Sequence, residues 1–75
     1  MNKARRQQVK EVYEQLKTIQ NDLESIKNDE QEAFDNMPEN LQETDRGQES
    51  EEAIDNLDDA ICSVEDAIES LYEVV

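Results

Sequence analysis

Residues 53–75 repeat with a period of seven and read AIDNLDD, AICSVED, AIESLYE and VV in successive blocks. Ala and Ile open each block, and another apolar residue follows three places after the isoleucine. Apolar residues spaced alternately by three and four are typical of an α-helix that packs along one narrow seam. The repeat therefore predicts a helix in this part of the chain, together with a second helix that covers its seam.

A matching seam is present in the first half of the chain. Its residues are Val9, Val12, Leu16, Ile19, Leu23 and Ile26, and those of the second half are Ile54, Leu57, Ile61, Val64, Ile68, Leu71 and Val75. When the two segments fold back on each other, six layers pair in one register, from Val9 with Val75 to Ile26 with Leu57. The sequence thus predicts an all-α fold, an antiparallel helical hairpin in which these residues, except Ile54 and Val75 at the ends of the second seam, form the core of a two-helix coiled coil.

Two residues indicate where the chain turns. Pro38 disfavours helical geometry in the residue before it and suits the first position of a new helix. Gly47 can adopt a positive φ, so we expect it to end or join helices. We expect a single domain, 1–75, with helix 1 at about 3–36, a connector at about 37–47 and helix 2 at about 48–74. A long parallel coiled coil is the alternative, but Pro38 and Gly47 argue against a continuous rod.

The two helices differ beside their seams. With Ile54 at heptad position a, position g of the second helix holds Ala53, Ala60, Ala67 and Val74. Position g of the first helix is polar, so one helical partner should cover that narrow seam. Small side chains allow a further helix to approach closely, and we expect these four residues to form an oligomer interface in a homodimeric four-helix bundle. The alternative is that alanine is simply a good helix former on a half-buried flank.

The formal net charge of −14 is unevenly distributed. Residues 1–27 hold six of the seven basic residues and four acids, whereas residues 28–75 hold 17 acids and only Arg46. The outer face of the second helix contains seven acids that we expect no lysine to pair, namely Asp55, Asp58, Asp59, Glu65, Asp66, Glu69 and Glu73. Like charges at such spacings repel. We expect this face to dock on a basic surface or groove of a larger protein, whereas a solvated face without a partner is the alternative. Phosphate repulsion disfavours direct binding to nucleic acid.

Catalytic and metal-binding patterns are missing from the sequence. There is no histidine, so the Glu-x-x-His pattern of metal-binding bundles cannot occur, and the acids do not follow the spacing of a calcium-binding loop. Cys62 has acidic neighbours that disfavour a reactive thiolate. We expect no enzymatic activity, cofactor or metal. One unpaired cysteine without a signal peptide suggests the cytoplasm, and no apolar run approaches the roughly 20 residues that span a membrane.

The block EAFDNMPENLQETDRGQESEEAIDNLDDAI, with the start MNKARRQQ, resembles short acidic helical proteins encoded by phages and mobile elements of Gram-positive bacteria. The resemblance covers most of the chain and carries over no functional residues. It implies an accessory protein directed at a host or defence protein, and small phage inhibitors often occlude a larger protein, several of them as acidic mimics of nucleic acid. Our first hypothesis is such an inhibitor. The alternatives are a structural coiled-coil protein that only self-associates, and a Rop-like bundle that touches RNA through Lys3, Arg5, Arg6 and Lys10.

Overall fold

The chain is all-helical in a computed structural model that describes all 75 residues. Helix α1 spans Lys3–Asp35, the short helix α2 spans Glu39–Gln42, and helix α3 spans Asp45–Tyr72. No strand is present, so the all-α prediction is confirmed. None of the three helices combines the length and the apolar character needed to cross a bilayer.

Polar side chains close both ends of α1. At its start, Asn2 Oδ1 accepts a hydrogen bond from the backbone N–H of Arg5 at 2.8 Å, which satisfies one of the free donors of the first turn. At its end, Gln42 Nε2 donates to the carbonyl oxygens of Phe34 and Met37 at 3.0 and 3.1 Å. The Phe34 carbonyl also accepts the backbone N–H of Met37 at 3.0 Å, so Gln42 gives this carbonyl a second hydrogen bond and gives the Met37 carbonyl, just beyond the helix, a donor. The two bonds from Gln42 also tie α2 to the end of α1.

Gly47 is not the joint that the sequence suggested. Helix α3 begins at Asp45, three residues before the predicted start, and Gly47 lies within it, buried and with a negative φ. A Cβ atom at this position would overlap the backbone carbonyl of Gln42. Glycine is therefore required here because α2 approaches the first turns of α3 closely, and backbone flexibility plays no part.

Helices α1 and α3 lie side by side and run in opposite directions. The rings of Tyr13 and Tyr72 are 6.2 Å apart between centroids. Seven residues further along α1, Gln20 Nε2 donates to Glu65 Oε1 at 2.8 Å. After another seven residues, Lys27 Nζ lies 2.5 Å from Asp58 Oδ1. Each step of seven forward along α1 is a step of seven back along α3, and all six residues occupy heptad position e.

The molecule is a thin rod with a small core. Its extents are 58 × 14 × 13 Å, and its radius of gyration is 17.1 Å, against about 11 Å for a compact domain of this length. Only Gly47, Ser50, Ile54 and Ile61 are buried. The accessible surface is 5711 Å², whereas an average monomer of this mass exposes about 4,700 Å². Two helices alone therefore leave much of their apolar surface uncovered.

Three predicted core residues lie outside the core. Val12, Ile19 and Ile26 are 47%, 45% and 55% exposed, although the other half of the same seam, Val9, Leu16 and Leu23, is half-buried. The reason is the rotation of the helices. Around a helix, position e lies on one side of position a, and positions d and g lie on the other side. Contact between the e flanks therefore rotates each helix so that position d points away from the other helix. The expectation that one helix would cover the first seam does not hold.

We predict that Gly47→Ala lowers the free energy of unfolding by about 1–3 kcal/mol, because the added methyl group overlaps a backbone carbonyl that cannot move alone. The measurement is urea denaturation followed by circular dichroism. Ser70→Ala, at an exposed position of α3, serves as the control and should gain about 0.4 kcal/mol from helix propensity. A stabilised Gly47→Ala protein would contradict the proposed steric role.

Candidate functional site

The predicted acidic docking residues divide into two groups. Asp58 and Glu65 occupy position e and contact α1 through Lys27 and Gln20, so the expectation that no lysine pairs the acids is wrong for Asp58. The remaining acids occupy positions b and f, are exposed, and have no cation within ion-pair distance. These five residues form the outer acidic face: Asp55, Asp59, Asp66, Glu69 and Glu73.

The Lys27–Asp58 contact is the one ion pair in the structure. Their side chains are 30% and 48% exposed, so solvent screens much of the attraction. The hydrogen bond to Asp58 raises the pKa of Lys27 above its ordinary value, and the carboxylates of Asp58 and Glu24 add to the effect. The sequence offered a signal for this pair, because both residues occupy position e and e flanks face each other in antiparallel helix pairs.

An open apolar face runs along one side of the rod. At the end that holds the chain termini, Met1, Arg5, Gln8, Val9, Val12 and Leu71 line a groove of about 340 Å³. Val12 and Leu71 both occupy position d, one on each long helix, so the d positions of α1 and α3 border the same face. The members of this d face are Val12, Ile19 and Ile26 of α1 with Leu57, Val64 and Leu71 of α3.

The predicted oligomer interface adjoins the d face. Ala53, Ala60, Ala67 and Val74 occupy position g of α3, next to position d, and each is half-buried in the single chain. The exposed apolar surface therefore includes the alanines but extends beyond them onto α1. Sequence reasoning missed the α1 residues because it assigned them to the hairpin core.

The connector end of the same side is polar. Glu30, Ala33, Met37, Arg46, Glu49 and Ser50 line a second groove of about 320 Å³. Within it, Ser50 is only 7% exposed and donates its hydroxyl hydrogen bond to Glu30 Oε1. Glu30 occupies seam position a, so this hydrogen bond satisfies a carboxylate that interrupts the apolar row.

The four basic residues of the RNA alternative do not form one patch. Lys3, Arg6 and Lys10 line a groove of about 170 Å³ beside Val75, whereas Arg5 lines the groove on the d face. Residues that share one RNA surface should point the same way. Lys3, Arg6 and Lys10 therefore share one side of α1, and Arg5 lies on another side.

The other side chains capable of chemistry stand alone. Cys62 is a free, exposed thiol at position b, and no three His, Cys, Asp or Glu side chains are grouped closely enough to hold a metal ion. No protein-family model matches the chain, and neither a curated protein nor a solved structure matches it. The outer acidic face and the d face are the two extended surfaces that the structure offers for contact with other molecules.

The Lys27–Asp58 pair makes a pH-dependent contribution to stability. Because the folded-state pKa of Lys27 is raised, the contribution is fully present below the unfolded value of 10.5 and is lost as pH rises through the folded pKa. We predict that Lys27→Met lowers the urea midpoint at pH 8, and that its difference from the unmodified protein disappears well above the lysine pKa. A difference that is constant across this pH window would mean that the ion pair does not cause it.

Proposed function

We propose that this protein is a small, non-enzymatic interaction protein that docks its outer acidic face on a basic surface or groove of a larger bacterial protein and blocks it. In this proposal the chain is an antiparallel helical hairpin, a two-helix coiled coil, that works as a homodimer in the cytoplasm. The observation that carries the proposal is the row of five exposed carboxylates without a cationic partner.

The arrangement of these acids favours an external partner. Between Asp55 and Glu73 they extend over about 27 Å of helix. Each pair of neighbouring like charges on a helix lowers the free energy of unfolding by a few tenths of a kcal/mol. None of these five carboxylates forms an ion pair within the chain that would offset this loss. A basic partner would convert this repulsion into attraction and would speed association.

The charge density separates two forms of the proposal. Five carboxylates over about 27 Å give roughly one charge per 5 Å, whereas duplex DNA carries one charge per about 1.7 Å of axis. One copy of α3 therefore imitates duplex DNA poorly. Docking on a basic protein surface is the first form of the proposal, and mimicry of nucleic acid is the second.

A structural protein that acts only by self-association is the second candidate function. The exposed row of Val12, Ile19 and Ile26 favours this candidate. Self-association would bury these apolar side chains whether or not another protein binds. In this alternative the outer acidic face serves only to keep assembled copies hydrated and apart from other anions.

The decisive variant neutralises the outer acidic face. It combines Asp55→Asn, Asp59→Asn, Asp66→Asn, Glu69→Gln and Glu73→Gln. The matched control removes the same number of charges from exposed positions on α1, by Glu11→Gln, Glu14→Gln, Glu24→Gln, Glu32→Gln and Asp35→Asn. We predict that the tagged protein and the control capture one stoichiometric protein from a Gram-positive lysate. The neutral variant should capture at least tenfold less of this protein.

Salt and DNA distinguish the possible outcomes. Capture through the outer acidic face should weaken in about 0.5 M salt, where the screening length is a few ångströms. Release of the captured protein by added duplex DNA supports mimicry, and retention supports docking elsewhere on a basic surface. Equal capture by the neutral variant in high salt contradicts the proposal, and the absence of any stoichiometric partner favours the structural alternative.

A further inference from the structure

We infer that a second copy of this chain covers the d face, with the two rods antiparallel and a two-fold axis at the level of Ile19 and Val64. In this arrangement α1 packs on the partner's α1 and α3 packs on the partner's α3. The inference rests on the homodimer of the proposed function and specifies its surface, direction and register.

The d face has the character of an uncovered core. Val12, Ile19 and Ile26 are about half exposed and recur every seven residues, so they form one continuous row. Single exposed apolar residues are ordinary on a protein surface, whereas a periodic row of large aliphatic side chains marks an interaction site. The groove between Val12 and Leu71 shows that α3 contributes to the same surface.

The size of the face fits a second copy. The rod is 58 Å long and 14 Å wide, so a second rod that lies along one whole side of it has a footprint of about 800 Å² on each copy, which is the area that each partner buries in a standard protein interface. The apolar d face forms the middle of this footprint, and polar residues border it. The two-fold arrangement also covers the same residues on both chains, as a closed dimer requires.

The charges at the two ends set the direction of the partner. At the end with the termini, residues 1–17 and 65–75 hold five basic and six acidic residues. At the connector end, residues 28–52 hold ten acids and only Arg46. Parallel rods would place the two connector ends together within a screening length of about 8 Å. Antiparallel rods place each connector end over the nearly neutral end of the partner.

The spacing of the d face sets the register. Its three α1 residues are centred on Ile19 and its three α3 residues on Val64, and the adjoining contact of Gln20 with Glu65 puts these two centres at one level. A two-fold axis there pairs Val12 with the partner's Ile26, and Leu57 with the partner's Leu71. Every large side chain of the d face then meets another one.

The residues at position g of α1, beside the d face, also fit this register. Position g of α1 holds Gln8, Gln15, Asp22 and Asp29. The two-fold axis sets Gln15 beside the partner's Asp22, and Gln8 beside the partner's Asp29. Amides that donate to carboxylates replace the contacts between like charges that other pairings of this row would make.

The residues that flank the d face on α3 and at the rod ends also fit the proposed register. On α3, Ala60 lies beside the partner's Ala67, where small side chains let the helices approach closely. Arg5, at position d beyond Val12, lies over the partner's Ala33 and next to the partner's Glu30. The basic residue on this face therefore meets an acidic residue of the partner.

Single-cysteine chains test direction and register together. In a Cys62→Ser background, a disulfide forms only where two Cα atoms come within about 7 Å, and one heptad displaces a helical residue by about 10.5 Å. We predict that Ile19→Cys cross-links to itself and that a mixture of Val12→Cys and Ile26→Cys chains cross-links. A mixture of Val12→Cys and Leu71→Cys chains should not cross-link.

The opposite pattern overturns the inference, because parallel rods would bring Val12 beside the partner's Leu71. A protein that sediments as a monomer up to about 0.1 mM would also overturn it. Arg5→Glu should weaken the dimer about fivefold to tenfold, and Lys3→Glu, with the same charge change on the other side of α1, should alter it less than twofold. Equal effects would contradict the contact with the partner's Glu30.

Failure of the dimer is distinguishable from failure of the docking proposal. The variant that neutralises the outer acidic face leaves every d-face residue unchanged, and it removes three acids from the end that lies over the partner's acidic connector end, so it should remain a dimer. A monomer whose capture of a partner still depends on the outer acidic face would remove this inference and leave the proposed function intact. A dimer that captures no partner would remove the proposed function and leave this inference intact.

Discussion

The packing of α1 on α3 along position a is the interaction on which the rest of the structure depends. Ile54 and Ile61, the only buried apolar side chains, both occupy this position. The contacts of Gln20 with Glu65 and of Lys27 with Asp58 hold the e flanks together and so fix the rotation of both helices. Because the e flanks face inward, position d turns to an open side and positions b and f turn outward.

This rotation separates the two surfaces that can meet other molecules. The outer acidic face, at positions b and f, lies on the side of α3 opposite position d, while the d face lies on the side where the seam is uncovered. In the proposed dimer the d faces meet, so the outer acidic faces of the two copies point in opposite directions. The dimer would therefore present two separate acidic docking surfaces, each with roughly one charge per 5 Å of helix.

The sequence predicted the helices better than their rotation. The heptad period and Pro38 were sufficient to predict the helical fold and the end of α1. Gly47 was misinterpreted because a glycine signals either a positive φ or a close contact, and only the position of Gln42 distinguishes them. Val12, Ile19 and Ile26 have the same spacing whether position d faces the partner helix or an open side. That choice depends on cross-helix contacts such as Gln20 with Glu65, whose partners are far apart in sequence.

The most direct test of the antiparallel dimer is an isotope-filtered NMR experiment on a mixture of labelled and unlabelled chains. Such an experiment detects only contacts between different copies. We predict intermolecular contacts between the methyl groups of Val12 and Ile26, and between those of Leu57 and Leu71. Contacts between Val12 and Leu71 of different copies, or no intermolecular contacts on the d face, would contradict the antiparallel dimer.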